Sequence, residues 1–178
     1  MTAIFKREVK SYFTGMIGWV IAAVSLFFLG LYYTNRNLLY ASSDFASVLY
    51  TMTMILLFLL PAISMRSFAE ERKNKTDQAL ITAPVSVTGI VMGKFLAAFG
   101  VYFIANTLAL LPAITMGFFS SAFPWGILFG NYIGTLLYGA AMISIGVFIS
   151  GLTISQVIAA IGTFVIAVFL MFVDQIAS

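Results

Sequence analysis

Histidine and cysteine are both absent from this 178-residue chain, and only 8% of its residues are charged. Without His or Cys, the commonest general bases, nucleophile partners and metal ligands are missing. A Ser-His intramembrane protease, an HExxH zinc protease and a haem site with His or Cys ligation are excluded on that ground. The aspartates, Asp44, Asp77 and Asp174, are isolated from one another, so an aspartyl dyad fails too, and no Walker phosphate loop occurs. The chain is expected to be neither an enzyme nor the holder of a cofactor or metal. A chain without cysteine also has no disulfide from which a redox compartment could be read.

Charge is too scarce for a water-facing surface. Globular chains carry roughly 25% charged residues, whereas this one is 62% hydrophobic. A helix crossing a hydrocarbon core of about 30 Å needs about 20 mostly apolar residues. Five such spans would use about 100 residues and leave no room for a soluble domain. The sequence predicts an all-α polytopic membrane protein, a single transmembrane domain over 1–178. Its net charge of +3 does not point to nucleic acid, because the cations cluster beside apolar spans instead of forming a stripe.

Residues 1–14 read as an amphipathic helix lying in the headgroup plane of the lipid bilayer. Ile4, Phe5, Val9, Tyr12 and Phe13 fall on one half of its wheel, and Lys6, Arg7, Lys10 and Ser11 on the other, where the cations meet anionic lipid. Glu8 alone sits on the apolar side. Spans are expected at 16–33, 45–64, 89–119, 127–150 and 154–173. Thr34 to Asp44 read as a loop, and Gly151, Leu152 and Thr153 as the last turn. Pro61 lies near the end of the second span, and the long third span requires tilt, a kink at Pro112 or an extramembrane end.

The connection 65–88 holds seven formal charges, Arg66, Glu70, Glu71, Arg72, Lys73, Lys75 and Asp77. Helix is expected over its first half, with Glu71 and Lys75 paired at i,i+4, until Pro84 breaks it. Such a loop could simply solvate a turn, or its length could serve docking to a soluble partner. With the N-terminus inside, Lys6, Arg7, Lys10, Arg66, Arg72, Lys73, Lys75 and Lys94 fall on the inner side and Arg36 alone outside. Lys94, close to the start of its span, reads as an interfacial anchor that snorkels to water. Gly126, Gly130 and Gly134 form overlapping GxxxG steps, for contact within the chain or for a dimer seam.

The run from Pro61, PAISMRSFAEERKNKTDQALITAPVSVTGIVMGKFLAAF, resembles the segment joining spans two and three of ABC-2 type permeases. The matching positions are Pro61, Arg66, Glu70, Glu71, Arg72, Thr76, Leu80, Pro84, Val85, Ser86, Gly93, Lys94 and Phe95. FKREVKSYF from Phe5 and ISGLTISQVIAAIGTFV from Ile149 match more weakly. The branch it is most similar to is the gliding-motility and copper-maturation type. Asn74 and Lys75 depart from that pattern where a Gly commonly precedes the Thr, as do Asp77 and Gln78 where an apolar-Glu pair is frequent.

The resemblance implies the membrane half of an ATP-driven exporter in a bacterial inner membrane, paired with a second permease half and with separate ABC ATPase subunits. Residues 1–14 would be an interfacial elbow. Glu70, Glu71, Arg72, Lys73, Thr76, Asp77, Leu80 and Pro84 would belong to a coupling helix on the ATPase. Family members usually have a sixth span, so this chain is expected to be a permease lacking its last helix. The competing reading is a non-transporting scaffold whose basic loop recruits a soluble partner.

Overall fold

A computed structural model describes residues 2–40, 46–73, 86–119 and 124–177. Among them the elements are α1 (Thr2–Thr14), α2 (Met16–Tyr33) running into a π-helical segment (Thr34–Leu39), α3 (Ala46–Ser64), α4 (Arg66–Lys73), α5 (Val87–Leu108), α6 (Leu111–Phe119), α7 (Trp125–Leu152) and α8 (Gln156–Ala177). Five helical stretches are long and apolar enough to cross a membrane, as the composition required. Backbone polar groups cannot be left unpaired in hydrocarbon, so spans of this composition close their hydrogen bonds within each helix.

The breaks in the helices have local causes. Pro112 has no N–H, and its ring collides with the carbonyl four residues back, which is Leu108, the last residue of α5. The chain turns through Ala109 and Leu110, with Leu110 N–H donating to the Thr107 carbonyl at 3.0 Å. Ser86 caps α5, its hydroxyl accepting from Gly89 N–H at 3.3 Å.

Two boundaries differ from expectation. The loop expected from Thr34 is helical to Leu39, because Asn37 is buried in place of facing water. The turn expected at Gly151 lies later: α7 runs through Leu152, and Thr153 is extended.

Helix α3 is the most enclosed of the spans and α8 the least. Leu56, Leu57, Leu60 and Ile63 of α3 pack with Ala97 and Val101 of α5 and with Met142, Ile143 and Val147 of α7. A second cluster, around Leu29, Val48, Met52, Ala113 and Leu128, lies nearer the other end of the bundle. Small residues allow the closest approaches. A Cβ at Gly146 would collide with the Ser64 side chain, and one at Gly139 with the Tyr102 ring. Tyr102 in turn donates to the Thr135 carbonyl at 2.6 Å and accepts from Asn106 Nδ2 at 2.8 Å, tying α5 to α7.

The GxxxG stripe lies elsewhere on α7. Nothing stands within 4 Å of a Cβ built at Gly126, Gly130 or Gly134, so among the described residues these glycines make no close contact within the chain. The alternative of contact within the chain thus has no support among the described residues. Gly139 and Gly146, on a different stripe, do that work because Tyr102 and Ser64 occupy the space a side chain would need.

Candidate coupling site

At the end of the bundle where α4 leaves α3, four segments converge. Helix α1 contributes Glu8 and Tyr12, α4 contributes Arg66 to Lys73, α5 contributes Lys94 and α7 contributes Ser150. Lys94 Nζ lies 3.0 Å from Glu8 Oε1 and 2.9 Å from Glu71 Oε2, and its side chain is 1% exposed. The Phe68 ring lies beneath the ammonium, 5.1 Å from Nζ to the ring centroid.

Lys94 is thus no snorkelling anchor. Its head turns inward, because two carboxylates replace the water it would otherwise seek. Burying an ion costs several kcal/mol, and removing one member of such a pair costs about 3–5 kcal/mol. The position of Glu8 on the apolar side of α1 has the same cause. It faces Lys94, a cation buried within a span, and each of the two apparent misplacements explains the other. Two opposite charges, each alone on an apolar face, were the sequence signal for this contact.

The break between α3 and α4 is closed by side chains from other helices. The Tyr12 hydroxyl donates to the Ile63 carbonyl at 2.8 Å. Burial pushes the Tyr12 phenol up to about 12, so it keeps its proton at ordinary pH. Ser150 is fully buried. Its hydroxyl accepts from the Phe68 and Ala69 N–H groups, each at 3.0 Å, and donates to the Met65 carbonyl at 3.0 Å. One hydroxyl offers one donor and two lone pairs, so its whole capacity is spent on this junction. Helix α4 is capped by a residue from α7, in addition to following α3 in the chain. Beyond its place in the weaker match from Ile149, nothing in the sequence singled out Ser150, since a serine in an apolar span commonly bonds its own helix.

The residues expected to couple divide in two. Glu70 binds Arg66 within α4, with Arg66 Nη2 2.9 Å from Glu70 Oε1, and Arg66 lies against the α1–α2 corner, where a Cβ at Gly15 would be 3.4 Å from its Nη1. Glu71 binds Lys94; its expected partner Lys75 lies outside the described residues. Arg72 and Lys73 are exposed. Thr76, Asp77, Leu80 and Pro84 also lie outside the described residues. Lys6, Arg7 and Lys10 are exposed along α1.

What this arrangement can do is mechanical. An ion pair ties α4 to α5 and the Ser150 hydroxyl ties it to α7, while Lys94 also holds α1 through Glu8, so the four helices are joined at this end of the bundle.

A search of curated proteins and a search of solved structures each returned no match. The family of ABC-2 family transporter proteins matches residues 31–173, which takes in α3 through most of α8. With five apolar helices and four segments locked at one end of the bundle, the chain belongs to the ABC-2 family of transporter proteins, as a multi-pass membrane permease.

Proposed function

We propose that this chain is one permease half of an exporter driven by ATP hydrolysed on a separate ABC ATPase subunit, and that α4 with the segment after it is the coupling element. The observation that carries the reading is the buried Glu8–Lys94–Glu71 cluster, which joins the elbow, α4 and α5 where the charged loop leaves the membrane. Docking falls to Arg72, Lys73, Thr76, Asp77, Leu80 and Pro84, since Glu70 and Glu71 already have partners inside the permease. Glu71 is then the inner end of the lever. A rigid-body push on the docked segment reaches α5 through Lys94 and α7 through Ser150.

In this reading the N-terminus and the 65–88 connection face the cytoplasm of a bacterial inner membrane, in keeping with the eight-to-one distribution of cations. Gly126, Gly130 and Gly134, with open space beside them, face the second permease half. The loop residues favour the gliding-motility and copper-maturation branch.

The test is purification of the full chain from its native membrane, followed by ATP hydrolysis measurements on what comes with it. An ABC ATPase should co-purify, and Lys94→Gln should leave it bound while abolishing its stimulation by the permease. Recovery with a soluble partner that is not an ATPase would favour the scaffold instead.

A further inference from the structure

Beside the coupling cluster, on the far side of Phe68, lies a cavity of about 510 Å³ between α4, α5 and α7. Its walls are apolar: Val91, Met92 and Phe95 from α5 face Val147, Phe148 and Leu152 from α7. The cavity is open to the side, with Phe148 67% and Leu152 66% exposed, so it faces the bilayer. It begins at the ends of the spans, Leu152 being the last residue of α7. From there to Ser144, which also lines it, is eight residues, or about 12 Å at 1.5 Å per residue. That is close to the depth of one leaflet, about 15 Å of a 30 Å core.

Among the described residues, one charged side chain lines this space. Arg72 stands at the headgroup end of the cavity. It is exposed, and among the described residues it has no carboxylate partner, because Glu70 is held by Arg66 and Glu71 by Lys94. The same end of the molecule carries exposed Lys6, Arg7, Lys10 and Lys73. A guanidinium with its donors free, above an apolar slot that opens into one leaflet, is complementary to a phosphate ester with a hydrocarbon tail.

We infer that this cavity is a binding site for an anionic phospholipid, with one acyl chain between α5 and α7 and the headgroup phosphate on Arg72. Phe68 makes the site consequential. Its ring lines the cavity and also lies against the Lys94 ammonium, so the bound chain supports the wall behind the coupling cluster. The lipid is then a structural part of that site. The inference needs only the membrane reading, not the ATPase reading.

The test uses the full chain in vesicles, with Trp19 and Trp125 replaced by Phe and a single reporter, Phe148→Trp, in the cavity wall. Quenching by brominated phosphatidylglycerol is compared with quenching by brominated phosphatidylcholine at equal mole fraction. One basic residue near a charged lipid surface is worth about fivefold in relative binding, and that preference is expected here. Arg72→Gln should abolish it and Lys73→Gln should leave it. Equal quenching by the two lipids would reduce the cavity to ordinary lipid contact and overturn the assignment, as would a preference that survives Arg72→Gln. Absence of quenching by either lipid would mean that protein, such as a second permease half, fills the space. Val91→Trp, reporting from the opposite wall, repeats the measurement should Phe148→Trp fail to insert.

Discussion

Replacing Ser150 by alanine removes one oxygen and strands up to three backbone groups. Phe68 N–H, Ala69 N–H and the Met65 carbonyl all depend on that hydroxyl, and the site is closed to water because Ser150 is fully buried. A buried group left unpaired costs about 1–3 kcal/mol. The three costs do not add. Ala69 lies four residues after Met65, so its N–H can close an ordinary helical bond onto the Met65 carbonyl once the hydroxyl is gone. Phe68 has no such resort without rebuilding the break at Met65. The expected local loss is therefore that of a single group, about 1–3 kcal/mol, or about 5- to 150-fold in the local opening equilibrium. Hydrogen exchange in a bilayer mimic, resolved to the amides of α4, measures this directly. Ser150→Ala should lower protection at Phe68 by that factor and barely alter the amides of α5, and Ser150→Thr should restore it. Unchanged protection at Phe68 in Ser150→Ala would refute the cap, and with it the route by which α4 reaches α7.

Lys94→Met leaves Glu8 and Glu71 facing each other without their cation and should lower stability by about 3–5 kcal/mol; adding Glu8→Gln and Glu71→Gln should recover most of it in a thermal unfolding assay. Gly139→Ala and Gly146→Ala should each cost about 1–3 kcal/mol, because a Cβ there meets the Tyr102 ring or the Ser64 side chain. Gly130→Leu, with open space beside it, should leave the unfolding temperature of the single chain unchanged and weaken self-association in light scattering of the solubilised protein. The chain has no native thiol, so Tyr40→Cys and Lys73→Cys each introduce a single one at an exposed position; an impermeant reagent should label them from opposite sides of the membrane, Lys73→Cys from the inside.

Most of the fold was legible because membrane folds follow from runs of apolar residues. A hydrocarbon solvent allows few backbone states, so spans, their order and the break near Pro112 can be read along the chain. The helix Thr2–Thr14 was legible from its two-faced wheel. Less accessible were the boundaries at Leu39 and Leu152, where burial of Asn37 and continued helix through Gly151 override local turn preference. The charged residues of the 65–88 connection were visible as a cluster, but their long-range partners were not: that Glu71 meets Lys94 depends on which helix lies alongside.

By itself, then, the sequence determined the solvent this protein lives in and the number of its apolar helices. Each of these depends on composition and spacing within one segment. The tertiary structure alone decided that Lys94 is buried between Glu8 and Glu71, that Ser150 caps a helix 81 positions earlier, and that Gly139 and Gly146 carry close packing while Gly126, Gly130 and Gly134 remain open. Those outcomes are pairings between distant segments, and a pairing is settled by which faces meet once the helices are packed.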